Sequence, residues 1–376
     1  MRLSSTMENA RLAVDDNPVA TAQSELAQGR AHDAVRLLEG LLARGGGGLL
    51  ARVTLVKALL AAGVKDKALA LARESTQLSP DAAPAAAVLG EALLAAGHLP
   101  AAIGELQRSL RLDPELAGAR YLLGCAWLEA GEMEKALDAF HAAGDDTAPD
   151  LAAKIHEAEL ARSRPRSDAR YVRHLFDQFS ADYDVRMLGQ LAYSAPSILR
   201  QLAALLGVDS HRRHAILDLG CGTGLAGAAF QDLADVLHGV DLSPAMVARA
   251  RARGIYDRLE VSDLEAAFAG AEPAYDLILA ADTLVYLGDL ANVFSGVAKS
   301  LLPAGLFLFT VEAAQGEDYE LGPKRRWRHS EAYLRASAAC ANLDVAGLIA
   351  CQPRSEAGNP VEGFAVALTP QSRASG

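Results

Sequence analysis

Four glycines constrain this 376-residue chain more than any other feature. Gly29, Gly63, Gly97 and Gly131 stand 34 residues apart, and five residues after each comes an alanine: Ala34, Ala68, Ala102 and Ala136. Pro80 and Pro114 keep the same spacing, as do Gly90 and Gly124. An apolar run precedes each glycine, as in Glu91 to Ala96, and a second run follows, as in Glu132 to Phe140. Self-similarity at a period of this size means that one supersecondary unit is stacked several times. The unit reads as a helix, a tight turn and a second helix. The glycine supplies the turn, the alanine lets the helices approach closely, and the proline opens the next helix where its missing N–H costs nothing. The Gly45-Gly46-Gly47-Gly48 run reads as a flexible joint between the first two units.

This period and pattern resemble the tetratricopeptide repeat, with four units over residues 13–147. The aromatic positions of that repeat are mostly Leu and Ala here, and the fourth unit keeps Tyr121 and Trp127. Asp150 to Arg162 reads as a last helix capping the stack, which sets an α-helical solenoid domain at residues 13–163. Arg164-Pro165-Arg166-Ser167-Asp168 reads as a linker. A solenoid of this kind offers a concave surface to a protein or peptide partner, although dimerisation and passive architecture use the same stack.

Charge narrows the partners further. The formal net charge is −11; residues 1–170 carry 19 Lys and Arg against 23 Asp and Glu, and the remainder 17 against 24. Neither part has the basic excess that non-specific nucleic-acid binding needs, and the cluster Lys324 to Arg328 is short. Cys125, Cys221, Cys340 and Cys351 form no CxxC pair and no metal spacing, which fits reduced thiols and no metal site. Met1 to Asp16 is polar, without an apolar leader segment, and no apolar run is long enough to span a membrane. A cytoplasmic protein is expected. The abundance of Ala and Arg hints at a bacterial source.

From residue 213 strands and helices alternate. Strands are predicted near 214–219, 236–241, 258–262, 274–281, 304–312, 343–351 and 361–368, with helices near 225–233, 244–253, 289–301 and 330–341. That pattern predicts a doubly wound, Rossmann-like α/β sheet of seven strands, with ligand at the carboxyl ends of the strands. The short connection 353–360 predicts an antiparallel hairpin at one edge. The second domain is set at 164–376, with helices over 171–206 ahead of a core at 213–370. Tyr171 to Asp184 is amphipathic and carries four aromatics.

Asp218-Leu219-Gly220-Cys221-Gly222-Thr223-Gly224 links the first strand to its helix. Glycines at alternate positions let backbone pass close to a ligand. Gly222 to Gly227 satisfies GxGxxG, a dinucleotide fingerprint that is weak alone. Asp218 argues for another ligand, because a carboxylate repels a pyrophosphate and attracts an ammonium. Asp241 ends the second strand, where its carboxylate can accept from both hydroxyls of a ribose in either cofactor. Asp263 follows the third strand, placed for an adenine amino group, with Leu264 contributing a backbone N–H.

Ile216 to Gly224 and Val240 to Met246 resemble the first two motifs of class I S-adenosylmethionine-dependent methyltransferases, and Tyr275 to Tyr286 resembles the fourth-strand motif of that family. The whole chain is similar to bacterial methyltransferases that carry tetratricopeptide repeats. The resemblance implies S-adenosyl-L-methionine as cofactor. Asp218, Gly220, Cys221, Gly222 and Gly224 would hold the methionine end, Asp241 the ribose, Leu242 and Met246 the adenine face, and Asp263 with Leu264 the adenine edge. Asp282 at the fourth strand end would complete the set. Phe176 to Asp184 resembles the lid of quinone-type methyltransferases, whose aromatics close over the cofactor.

Methyl transfer from a sulfonium needs an acceptor held in line and, for some acceptors, a proton removed. Ala281-Asp282-Thr283-Leu284 departs from the Asn/Asp-Pro-Pro-Tyr/Phe pattern of amino-group methylation, which disfavours nucleobase and glutamine acceptors. Acceptor-side candidates are Asp282, Tyr286, Glu312 and Tyr319, with His329 as a general base and Tyr183 or Tyr193 from the lid. Ser330 would cap the helix that follows. A small-molecule or protein acceptor is expected. A cofactor-binding adaptor without catalysis and an NAD(P)-dependent oxidoreductase are the alternatives.

Overall fold

The computed structural model describes residues 17–371 except 146, 271, 317, 323, 324 and 357. The expectations for residues 1–16, and for Lys324 in the basic cluster, lie outside the described residues. The chain divides into two compact units, Met1–Ser163 and Arg164–Gly376. No helix of the described residues is long and apolar enough to cross a membrane.

The first unit is a stack of helix pairs: α1 (Pro18–Ala27) with α2 (Ala31–Ala43), α3 (Gly48–Ala61) with α4 (Lys65–Leu78), α5 (Ala83–Ala95) with α6 (Leu99–Leu112), and α7 (Ala117–Glu129) with α8 (Met133–Ala143), followed by α9 (Leu151–Ser163). Gly29, Gly63, Gly97 and Gly131 have φ between 71° and 79°, so each turn requires the residue without a Cβ. Ala34, Ala68, Ala102 and Ala136 are fully buried. Gly90 and Gly124 serve another purpose. A Cβ on Gly90 would lie 2.6 Å from Leu106, and one on Gly124 would lie 2.4 Å from the Phe140 ring. Each glycine is the small partner of a large side chain on the next helix. In the second repeat the equivalent pair is Val56 and Ala72, both buried in one cluster, with the sizes exchanged.

Two readings of this half need correcting. Pro80 and Pro114 do not open helices; they sit in the turns three residues before α5 and α7, and Pro84 occupies the first turn of α5. The glycine run is a defined turn rather than a loose joint. Gly46 N–H donates to Leu41 O (3.1 Å), Gly45 and Gly47 take left-handed φ, and a Cβ on Gly46 or Gly47 would collide with Leu41.

The second unit begins with α10 (Ala169–Phe179) and α11 (Ala195–Leu205). Its sheet contains β1 (His214–Leu219), β2 (Ala234–Asp241), β3 (Arg258–Val261), β4 (Tyr275–Ala280), β5 (Leu301–Ala313), β6 (Tyr319–Leu321), β7 (Trp327–His329), β8 (Leu343–Cys351) and β11 (Gly363–Pro370). The main path runs β3-β2-β1-β4-β5-β11-β8. That is the expected doubly wound architecture: β1 to β5 pair in parallel, while β11 lies antiparallel to both β5 and β8. Helices α12 (Leu225–Phe230), α13 (Pro244–Ala252), α14 (Ala291–Ser300) and α15 (Glu331–Cys340) connect the strands. One core cluster joins Phe294, Phe307 and Phe309 with Leu334; the other joins Leu199, Ile216, Phe230 and Leu308. The sheet is thus buried on both faces, as parallel strands require. Strands β6 and β7 enlarge it to nine and were not expected. The 353–360 connection carries its own small ribbon, β9 (Ser355–Glu356) with β10 (Asn359–Pro360).

Candidate active site

One cavity opens at the carboxyl ends of β1 to β4. Its floor is the glycine loop. Gly220, Gly222 and Gly224 have φ of 67°, 54° and 93°, and the Gly220 and Cys221 N–H groups donate to Val240 O (2.7 and 3.0 Å). A Cβ on Gly220 would lie 2.3 Å from the Thr283 side chain. The loop therefore lies flat between the ends of β2 and β4, with Gly220 and Gly222 on the cavity wall.

Asp241 is on the wall and pins this loop. One of its oxygens accepts from Gly222 N–H (2.9 Å) and the other from Ser243 N–H (2.8 Å). Burial pushes its carboxyl above the usual range, against the lowering by those bonds. Leu242, Asp263, Leu264 and Asp282 also line the cavity. Asp263 is already engaged: one oxygen accepts from Glu265 N–H (3.0 Å), the other from Arg166 Nη2 (2.5 Å).

Asp218 does not line the cavity. It lies fully buried beneath the loop, and its Oδ2 accepts from Gly227 N–H (3.0 Å) and the Tyr256 hydroxyl (2.7 Å). Its Oδ1 has no hydrogen-bond partner among the described residues. Burial pushes this carboxyl up to about 6, outweighing the two hydrogen bonds that lower it. Cys221 is buried behind the loop and packs on Gly239, where a Cβ would lie 3.1 Å from its Sγ. Gly224 is the left-handed cap of α12. Met246 requires a correction: it is fully buried and absent from the wall. Its N–H is bound by the capping Ser243 hydroxyl (3.1 Å), which fixes the first turn of α13 with that side chain packed inward.

Beyond Gly220 the cavity becomes aromatic. Phe176 stands edge-on to both Tyr183 (6.1 Å) and Tyr286 (5.5 Å), and all three line the wall. Burial raises the Tyr183 and Tyr193 hydroxyls well above their usual range, so both remain hydrogen-bond donors at neutral pH. Tyr193 OH donates to Ala281 O (3.2 Å). Asp282 has φ 56°, a left-handed value unusual outside glycine, and its N–H donates to Thr310 Oγ1 (2.9 Å). Its carboxylate pairs with the buried Arg354 and with Arg326 (3.2 Å). Arg354 also pairs with Glu312, which is itself buried. Asp282 is therefore tied to the turn between β6 and β7 and to the loop that follows β8, as well as facing the cavity.

His329 does not belong to this group. Strand β7 pairs beside β5 and carries the ring into full burial. Its Nε2 lies 2.9 Å from Gly288 O, and the ring stacks on Tyr333 (5.7 Å). Burial depresses it to about 4. A neutral imidazole without access to the cavity is not the general base expected from the sequence. Tyr319 packs on the same group, edge-on to Trp327 and Tyr333. Ser330 does cap α15, accepting from Tyr333 N–H (3.0 Å).

Several residues of the site escaped the sequence reading. Asp177 on α10 accepts from the Ser243 hydroxyl (2.5 Å) and Asp184 pairs with Arg253 and the Thr223 hydroxyl, so segment 177–184 is fastened at both ends, beside Asp241 and to the glycine loop. Arg166 lines the cavity from a segment read as a linker. Tyr256 and Arg354 carry no motif. An isolated arginine in a loop gives no local signal of its distant carboxylates.

Residues 217–307 match the family described as a methyltransferase domain, and residues 19–83 and 88–152 match the tetratricopeptide repeat. A human methyltransferase-like protein 27 is 33% identical over 120 residues, covering 32% of this chain and 46% of that protein. A malonyl-[acyl-carrier protein] O-methyltransferase of Acetivibrio thermocellus is 31% identical over 111 residues, covering 29% and 39%. The chain thus spans less than half the length of these two relatives. The crystal structure of a Synechocystis magnesium protoporphyrin IX methyltransferase with bound SAH is similar with a TM-score of 0.43 at 16% identity, over 54% of this chain and 99% of that one. The chain joins tetratricopeptide repeats to a methyltransferase domain.

Proposed function

We propose that the second unit transfers the methyl group of S-adenosylmethionine to an acceptor entering on the Asp282 side, and that the repeats recruit a protein. The observation that carries the reading is one cavity at the strand ends, walled by the glycine loop and by Asp241, Leu242, Asp263 and Leu264, with a buried carboxylate behind the loop. Gly220 keeps bare backbone on the cavity wall, where a Cβ would collide with Thr283, and Asp218 beneath the loop keeps a buried oxygen without a donor among the described residues. An ammonium group in the cavity is attracted to that carboxylate across the loop; a pyrophosphate is repelled. The residues fit the cofactor. The loop would hold its methionine end, with Asp218 attracting the ammonium from beneath it and Cys221 and Gly224 shaping the loop from behind. Asp241 would take the ribose hydroxyls, Leu242 and Leu264 the adenine faces, and Asp263 the adenine amine. The cofactor supplies an electrophilic methyl on a good leaving group. The protein's contribution is then positioning and exclusion of water by the Phe176–Tyr183–Tyr286 wall. One named relative is an O-methyltransferase, which favours an oxygen acceptor, whether on a small molecule or on a protein.

A groove lined by Val53, Lys57, Val88, Glu91 and Tyr121, from the first helices of successive repeats, supports the recruitment role. Calorimetric titration with S-adenosylhomocysteine and with NAD tests the cofactor. Binding of the first and not the second is expected, and the reverse sinks the reading. Asp241→Ala should weaken S-adenosylhomocysteine by about 1.5–3 kcal/mol through lost charge-assisted hydrogen bonds. Labelled-methyl transfer in lysate, read on protein and small-molecule fractions, identifies the acceptor.

A further inference from the structure

The segment between α9 and α10 contains no free linker. Pro165 O accepts from Gly288 N–H (2.8 Å) and Asp289 N–H (3.1 Å), Ser167 N–H donates to Tyr286 O (2.8 Å), and Arg166 bridges Leu287 antiparallel. The approach depends on Gly288, where a Cβ would lie 2.8 Å from Pro165 O. These bonds lay residues 164–167 as a strap along the cavity. The strap carries one cation to the wall. Arg166 reaches Asp263 Oδ2 with Nη2 (2.5 Å) and Glu265 Oε2 with Nη1 (3.1 Å), and both Arg166 and Asp263 line the cavity.

We propose that Arg166 is a positioning residue that sets specificity for adenine. The inference rests on the methyltransferase reading above. A planar guanidinium can span two carboxylates at fixed angles, which an ammonium cannot. The Glu265 N–H holds the remaining oxygen of Asp263 at 3.0 Å. Gripped from two sides, Asp263 is fixed in rotamer, and each of its oxygens retains a lone pair. A fixed acceptor on the wall discriminates between a ring that donates there and one that does not. The 6-amino group of adenine donates; the 6-oxo group of hypoxanthine faces it as a second acceptor and is repelled. Without Arg166 the carboxylate is free to rotate into solvent, and that discrimination falls away.

The test uses the full chain with two probes, S-adenosylhomocysteine and its 6-oxo analogue S-inosylhomocysteine, titrated by calorimetry. The wild-type protein should prefer the adenosyl compound. Arg166→Ala should weaken that compound by about tenfold, the scale of one charge-assisted hydrogen bond, while the inosyl compound changes little, so the preference collapses. Arg166→Lys should fall between, because it can pair with one carboxylate but not grip both. Equal weakening of both probes would mean that Arg166 is only packing, and no change in either would mean that it is idle; each overturns the proposal. If wild-type protein binds neither probe, the methyltransferase reading itself fails. A melting curve of each variant separates loss of fold from loss of discrimination, and Arg166→Lys carries the test if Arg166→Ala does not fold.

Discussion

A buried carboxylate with one oxygen unmet is costly to ionise. Asp218 is fully buried, and its pKa of about 6 stands above its ordinary value of 3.8. Its raised value means that the folded state holds the proton more tightly than the unfolded chain. The contribution to stability is therefore full below about pH 4 and lost as pH rises to about 6, on the order of 1–3 kcal/mol. His329 runs the other way. Its pKa of about 4 lies below the ordinary 6.5, so its contribution is intact above about pH 6.5 and lost as pH falls to about 4. The two windows overlap, so acid unfolding of the wild type will show neither alone. Asp218→Asn separates them. At pH 7.5 the variant should melt no lower than wild type without cofactor, yet bind S-adenosylhomocysteine at least about tenfold more weakly, because the ammonium loses its charged partner. In wild type, affinity should decline as pH drops below about 6, with proton release on binding seen as buffer-dependent heats. His329→Gln should lower the melting temperature by removing the stacked, hydrogen-bonded ring, while that midpoint stays near pH 6. A midpoint that moves with His329 would return the histidine to the site.

At the scale of helices and strands, size complementarity between neighbouring helices decides which substitutions are tolerated. Gly124→Ala places a methyl 2.4 Å from Phe140, whose ring is fully buried. Overpacking of that kind should cost about 1–3 kcal/mol in denaturant unfolding. Gly104 sits inside α6, and a Cβ added there would have nothing within 4 Å. Gly104→Ala should stabilise by about 0.5–1 kcal/mol, because it removes only chain entropy. Equal effects from the two would refute the pairing of Gly124 with Phe140. The same scale shows where sequence speaks and where it is silent. The turn glycines and buried alanines were legible because a repeated unit imposes one requirement four times. The strands carrying Asp218 and Asp241 were legible because an apolar run that meets an acid at its end is a local signal. Strands β6 and β7 are three residues each, too short for any periodicity, and the pairing of β7 beside β5 depends on residues at 312–313. That pairing is what buries His329. Arg164 to Asp168 looked like a linker because Arg, Pro and Ser mark turns, whereas its role comes from hydrogen bonds to Tyr286, Gly288 and Asp289, more than a hundred residues away.

For the whole chain, the boundary between the units matters more than its position in the sequence suggests. Helix α9 ends at Ser163, and the strap that lines the cavity begins at Arg164. Two compact units with separate cores should unfold in two transitions by calorimetry, and S-adenosylhomocysteine should raise the temperature of one of them only, by mass action on the folded unit that binds it. The choice of fragment then becomes a sharp test. A fragment of residues 164–376 retains the Pro165 carbonyl that takes two N–H groups and the Arg166 side chain that grips Asp263. A fragment of residues 168–376 loses both. It leaves the Gly288 and Asp289 N–H groups without their acceptor and Asp263 without its cation, each a loss on the order of 1 kcal/mol or more. The longer fragment should therefore show the same ligand-sensitive transition as the full chain, and the shorter one should melt lower and bind S-adenosylhomocysteine more weakly. If the two fragments behave alike, the strap is an accessory to the fold. If neither matches the full chain, the repeats contribute to the stability of the methyltransferase domain.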